Sequence, residues 1–253
     1  MTFSIIGRCE RTGAYGAAIT TSDLAVGSRC VRLAHGRGAM LSQHRTDSRL
    51  GDLGISMLAE GESADRVVAK VCASTADIEW RQIGALDSEG RAAFYHGRRM
   101  YSIYAHAAGR NCLALGNILD NPDVPQRMVE AFSRDPAAPL AEKLTSALEA
   151  GRDAGGEILG PLRSAALKVS GDYKIDTYDL RIDISGTDAV ADLRALYESY
   201  KNREDTIRNV ALRPDTMPVM RSLFDASIAR IEELGLQDRF PTARNRESWT
   251  VKG

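Results

Sequence analysis

Residues 2–21 read Thr2-Phe3-Ser4-Ile5-Ile6-Gly7-Arg8-Cys9-Glu10-Arg11-Thr12-Gly13-Ala14-Tyr15-Gly16-Ala17-Ala18-Ile19-Thr20-Thr21. The apolar run Phe3 to Gly7 and the β-branched run Ala14 to Thr21 flank a turn at Arg11-Thr12-Gly13, which predicts a hairpin starting at the second residue. Working outward, Ser28 to Ala34 and Gly38 to Gln43 are two further strand candidates, separated by Gly36 and Gly38. Helices follow at Leu53 to Ala59 and after the N-cap candidate Ser63, where Ala64, Val67, Val68, Val71 and Cys72 keep helical spacing.

Trp80 to Leu86 and Arg91 to Gly97 flank Asp87-Ser88-Glu89-Gly90, a hairpin signal, and Cys112 to Gly116 reads as a buried strand. A helix runs from Asn121-Pro122 to Phe132, and Pro139 opens another with Leu140, Leu144 and Leu148 on one face. Ser164 to Ser170 and Thr177 to Ile184 are strand patterns, the second with Tyr178, Leu180, Ile182 and Ile184 on one side. From Thr187 the pattern is helical, with apolar stripes at Val190, Leu193, Leu196, Tyr197 and Tyr200 and at Leu223, Phe224, Ile228, Ile231 and Leu234. This order lacks the strict strand–helix alternation of a doubly wound sheet and predicts an α+β fold, antiparallel sheets with helices stacked outside, for which a four-layer αββα sandwich is one solution.

The chain has 253 residues, of which 43% are hydrophobic and 26% charged, enough for a real core and far from a disordered composition. With no linker or repeat, one domain over residues 1–253 is expected, a core over 1–185 and a helical C-terminal extension over 186–253. A net charge of −1 gives no support for nucleic-acid binding. There is no basic segment followed by an apolar run of about 7–15 residues, and nothing near the roughly 20 apolar residues of a membrane span, so a cytoplasmic protein is expected. Cys9, Cys30, Cys72 and Cys112 lie far apart without histidines at ligand spacing, and His35, His44, His96 and His106 are scattered, so no metal is expected. Gly36-Arg37-Gly38 and Gly155-Gly156 with Gly160 lack phosphate-loop spacing, and Gly54-Ile55-Ser56-Met57-Leu58 lacks the second glycine of a nucleophile elbow, so no cofactor is expected.

Thr2 stands out for a chemical reason. Aminopeptidases remove an initiator methionine before a small residue such as threonine, and a mature N-terminal threonine carries hydroxyl and base together. Its free α-amine has a pKa of about 7.7–8.0. The strand Phe3 to Gly7 would anchor that terminus in a sheet.

Several stretches, in order, support a resemblance: Thr2-Phe3-Ser4-Ile5-Ile6, Ala25-Val26-Gly27, Gly36 to Gln43, Arg81-Gln82-Ile83-Gly84 with Asp87 and Gly90, Gly116-Asn117-Ile118-Leu119, Ala154-Gly155-Gly156, Ser164-Ala165-Ala166-Leu167 and Tyr178-Asp179-Leu180-Arg181-Ile182-Asp183. Together they resemble domain-of-unknown-function family 1028 of bacteria and archaea, described as N-terminal-nucleophile hydrolases. The resemblance implies the four-layer αββα sandwich of such hydrolases, two mostly antiparallel sheets between helix layers, with the active site where the first strand starts. It also implies hydrolysis of an amide. In proteasome-like relatives a lysine further along supports the nucleophile, whereas the first lysine here is Lys70. Arg29 or Arg32 could supply positive charge, but an arginine cannot act as a base.

The expected catalytic pair is therefore Thr2, as nucleophile, and Asn117, whose side-chain amide would donate to an oxyanion. Gln43 would bind a substrate carbonyl, and Arg32, Arg163 and Ser164 would contribute to substrate binding, the arginines by gripping an acidic group. Arg181 has Asp179 and Asp183 as ready ion-pair partners, and His106 reads as structural. The expected reaction is cofactor-independent hydrolysis of a small amide or short peptide by a homo-oligomer. The alternative is a non-catalytic metabolite-binding or oligomer-forming protein on the same scaffold.

Overall fold

In the computed structural model, the described residues are 1–171, 177–240 and the backbone of 251–252. The N-terminal hairpin forms as β1 (Thr2–Arg8) and β2 (Tyr15–Thr21), with Phe3 opposite Thr20 and Arg8 opposite Tyr15. The small sheet follows as β3 (Val31–Ala34), β4 (Gly38–Gln43), β5 (Gln82–Leu86) and β6 (Ala92–His96), hydrogen-bonded in that order. The strands β7 (Tyr104–Gly109), β8 (Cys112–Asn117), β9 (Ser164–Val169) and β10 (Tyr178–Ile182) join the hairpin in a six-stranded sheet of order β10-β9-β2-β1-β8-β7. Every pair in both sheets is antiparallel.

Strand alternation decides what the layers bury. Ile6, Ile19, Leu113 and Leu115 of the large sheet pack against Val31, Ala39, Leu41 and Leu86 of the small one. By the two-residue period, Thr2 and Ser4 share the Ile6 face and so point between the sheets. Phe3, Ile5 and Gly7 face the other way, and the approach there is close: a Cβ on Gly7 would stand 2.6 Å from the Phe132 ring. The helices α1 (Ser48–Ala59) and α2 (Ala64–Ala73) cover the small sheet through Leu50, Leu58, Val67 and Val71 against Met40 and Ile83. The helices α3 (Val124–Ser133) and α4 (Leu140–Asp153) cover the large one. The result is the layered α+β arrangement, helices, sheet, sheet, helices. Each fully buried Leu, Ile or Phe in these layers contributes roughly 1.5–3 kcal/mol.

Some local expectations are revised. Helix α1 starts at Ser48, because Asp47 caps it by accepting from the Arg49 amide at 3.1 Å. Ser63 sits at the N-cap position of α2 without a capping bond, and the buried Asp87 carboxylate accepts from the Ala64 amide at 3.1 Å instead. That same carboxylate takes the Glu89 and Arg91 amides, closing the β5–β6 turn, where Gly90 adopts φ +78°. His106 is on strand β7, whose pattern small residues hide in the sequence. Strand β10 ends at Ile182, leaving Ile184 exposed.

Met1–Tyr197 make one compact unit and Glu198–Gly253 a second. Helix α5 (Ala189–Lys201) buries Ala189, Val190, Leu193 and Tyr197 in the first unit. In the second, α6 (Glu204–Leu212) and α7 (Arg221–Glu233) bury no residue. The expected helical run is interrupted where Pro214 and Pro218 break it, and β11 (Val219–Met220) pairs parallel with β12 (Val251–Lys252). The part of the expected extension over residues 241–250 and 253 lies outside the described residues.

Candidate active site at the start of the first strand

One end of the sandwich collects polar strand termini. Thr2 opens β1 opposite Asn117, which closes β8 and is in turn opposite Tyr104 at the start of β7. Thr21 closes β2 opposite Ser164, and in the small sheet Gln43 is opposite Gln82, which is opposite His96. Two of these termini lead into left-handed backbone at non-glycine residues, His44 (φ 50°) after Gln43 and Ile118 (φ 54°) after Asn117. Such conformations cost roughly 1–3 kcal/mol each and persist where surrounding structure dictates them, commonly at functional sites.

Between the sheets a chain of amides joins these termini. Ser4 donates to Gln43 Oε1 at 2.7 Å, and Gln43 Nε2 to Gln82 Oε1 at 2.5 Å. The same Gln82 oxygen accepts Asn117 Nδ2 at 2.9 Å. Gln82 Nε2 donates to the Gly116 carbonyl at 2.9 Å and meets His96 Nδ1 at 3.0 Å, while His96 Nε2 lies 3.2 Å from His106 Nδ1. Burial and, after it, the neighbouring His106 push the His96 pKa down to about 4, so the ring is neutral and its Nδ1 can accept.

Around the chain start, Thr2 is almost wholly buried, and the hydroxyls of Thr2 and Thr21 both donate to the Met1 carbonyl. Ser22 Oγ lies 3.5 Å from the Met1 sulfur, and its amide donates to Glu157 Oε2 at 3.1 Å. Burial pushes the Glu157 pKa up to about 7, against the Ser22 bonds and the positive Met1 amine, which favour its charge. His44 feels the same amine; burial first, then that charge, lower its pKa. Its Nδ1 faces the Trp80 carbonyl at 2.7 Å and therefore carries the proton, leaving Nε2 as an acceptor. Three buried acceptor atoms at this end, His44 Nε2, Asn117 Oδ1 and Glu157 Oε1, have no partner among the described residues. Buried polar atoms without partners are rare enough to indicate a ligand or solvent site.

The sequence model of DUF1028, a family of unknown function, matches residues 2–193. The chain belongs to this family. The match takes in all ten strands of the two sheets. A crystal structure of protein SPO2555 from Silicibacter pomeroyi, also assigned to DUF1028, is similar, with TM-score 0.73 and 28% identity over 79% of this chain and 89% of that one. No curated protein matches the chain.

In this DUF1028 chain, Thr2 and Asn117 are brought side by side, and Gln43 and Ser164 lie at the same end of the sandwich. Asn117 commits an N–H to Gln82 and leaves its oxygen free. Gln43 has its oxygen occupied by Ser4 and its nitrogen by Gln82, so it orders the network without an open group on its oxygen side. The Ser164 hydroxyl donates to the Asp23 carbonyl at 2.7 Å and accepts the Val26 amide at 3.1 Å, which ties down the turn after β2. Arg32 alternates away from its neighbour Val31, lies against Gly51 of α1 and pairs with Asp52 at 2.5 Å, on the outer face of the small sheet. Arg29 is likewise engaged, with Asp23 at 3.1 Å, and Arg181 pairs with Asp183 at 3.1 Å. The exposed Arg163, whose amide bonds the Thr21 carbonyl at 2.8 Å, has no side-chain partner among the described residues.

Thr21, His44, Gln82 and Glu157 were not singled out from sequence. Each offered a faint signal: Thr21 ends the first hairpin, His44 directly follows Gln43, Gln82 stands within a family-like stretch, and Glu157 follows the glycine pair at 155 and 156.

Proposed function

We propose that this protein hydrolyses an amide bond with Thr2 as nucleophile once Met1 has been removed. The observation that carries the reading is the pairing of Thr2 and Thr21 hydroxyls on a single carbonyl oxygen, that of Met1, in a buried strand end. Removal of Met1 empties that position and lets a substrate acyl group take it.

The Thr2 hydroxyl then adds to the acyl carbon while its own α-amine takes the proton. The oxyanion receives the Thr21 hydroxyl bond, the kind of contact worth about a hundredfold or more in rate. Collapse expels the amine product, which takes the proton from the α-ammonium, and water attacks the resulting ester, releasing the acid and restoring Thr2. Glu157, with a pKa of about 7, is matched to exchange protons with an α-amine near 7.7–8.0. Asn117 Oδ1 and His44 Nε2 would accept N–H groups of the substrate, and Arg163 would meet an acidic one.

The test is acylation by an activated ester, read by intact mass and peptide mapping. Acyl mass should appear on the Thr2 amino-terminal peptide of Met1-free protein, be absent in Thr2→Ala, persist in Thr2→Ser and form about a hundredfold more slowly in Thr21→Val. Equal labelling in Thr2→Ala, or a Met1 retained in the native host, would defeat this reading and favour a binding protein that keeps Met1 seated against Thr21 and Ser22.

A further inference from the structure

At the end of β1 remote from Thr2, the chain leaves the sheet through Arg8, Cys9 and Glu10 beside a cavity of about 410 Å3. Six steps of extended chain separate Thr2 from Arg8, about 20 Å, so this cavity is separate from the strand-end site.

Its wall has two characters. Phe132, Pro136 and Leu140, from the end of α3 and the approach to α4, form an apolar side. Arg8, Arg11, Arg110 and Lys143 bring four cations against one carboxylate, Glu10. Glu10 is already taken by Arg110 at 2.9 Å and by the Asn111 amide at 2.7 Å. The remaining three cations have no carboxylate partner among the described residues: Arg8 meets the Asn111 amide oxygen at 3.3 Å, and Lys143 Nζ stands 4.1 Å over the Phe132 ring. Three cations without a carboxylate partner among the described residues thus stand beside one apolar cavity.

Cations next to apolar surface suit a ligand with the same two parts. Guanidinium and ammonium groups form their strongest bonds with carboxylate and phosphate oxygens, and an apolar body gains by leaving water. We propose that this cavity binds a small amphiphile with a single acidic head, a carboxylate or a phosphate monoester, seated among Arg8, Arg11 and Lys143 with its apolar body along Phe132, Pro136 and Leu140.

Cys9 lines the same cavity and reports on it. Burial works against its ionisation, but hydrogen bonds from Thr12 and the charge of Arg11 outweigh that and hold its pKa below the usual thiol value. Burial instead pushes Cys72 and Cys112 up to about 11 and raises Cys30 as well. Cys9 is therefore the thiol that iodoacetamide should find first.

The experiment is calorimetric titration of the whole chain with decanoate, decyl phosphate and decanol below their aggregation limits, paired with mapping of Cys9 alkylation. One or both acids should bind saturably, decanol at least about tenfold more weakly, and the bound acid should slow alkylation of Cys9. The double variant Arg11→Gln, Lys143→Gln, which breaks no ion pair among the described residues, should weaken the acids by about tenfold and leave decanol unchanged. The tighter of the two acids identifies the head group. No saturable binding of either acid, unchanged affinity in the double variant, or an unprotected Cys9 would overturn the proposal.

Discussion

The side-chain amide of Gln82 donates to the main-chain carbonyl of Gly116 across the gap between the sheets, at 2.9 Å. A main-chain carbonyl only accepts, so this contact orients Gln82 with its nitrogen toward Gly116 and its oxygen toward Gln43 and Asn117. Both of those must then present N–H groups to it, and Asn117 is left with its oxygen unpartnered. One bond thus decides which atoms the strand-end site offers a ligand.

Replacing Gln82 by Leu should strand the Gln43 and Asn117 amides together and remove one bond to the Gly116 carbonyl, which keeps its place in the β7–β8 ladder opposite Ala105. Buried groups without partners cost roughly 1–3 kcal/mol each, partly relieved by reorientation, so a loss of about 3 kcal/mol is expected in chemical denaturation. A loss below about 1 kcal/mol would mean that the network does not order this end of the sandwich.

Gly84 lies two residues beyond Gln82 on the same face of β5, and a Cβ there would stand 2.8 Å from a Leu115 methyl and 3.0 Å from one of Leu113. The missing side chain is what allows β5 and β8 to approach closely enough for the Gln82–Gly116 bond. Gly84→Ala should cost about 1–3 kcal/mol in thermal unfolding and slow Thr2 acylation as well. Wild-type stability would show that the sheets separate without strain.

Glu157 carries a pKa raised from 4.5 to about 7 by burial. The folded chain holds that proton where the unfolded chain has released it. The contribution is therefore fully present below pH 4.5, falls as pH rises through the window to about 7, and stays lost above it. The swing amounts to about 3 kcal/mol at most. Glu157→Gln should flatten this slope in unfolding measured between pH 4 and 8, and an unchanged slope would place the titration elsewhere.

His96 works in the opposite direction. Its pKa is lowered from 6.5 to about 4, so the unfolded chain takes up a proton that the folded one refuses, and stability falls as pH drops through that window. In imidazole NMR spectra, His96 should stay neutral down to about pH 5, and its Nδ1 should bear no proton. A midpoint at the ordinary histidine value would contradict its bond from Gln82.

The sequence by itself determined those features whose causes are local. The turn at Arg11-Thr12-Gly13, the alternation in β10 and the Asp87–Gly90 hairpin depend on neighbours within a few residues, and so did the choice of an antiparallel layered fold. Thr2 could be singled out because hydroxyl and amine chemistry belong to one residue. Only tertiary structure decided what surrounds it, since Ser4, Gln43, Gln82 and Asn117 come from four separate strands and Glu157 from the segment between α4 and β9. Strand register places Asn117 opposite Thr2, and the pleat turns Arg32 outward to Asp52 while Ser4 turns inward to Gln43. Glu157 shows the difference most plainly: in the sequence it is one carboxylate among many after a pair of glycines. Its unusual proton affinity exists because the folded layers exclude water from it, and no local pattern of residues encodes that exclusion.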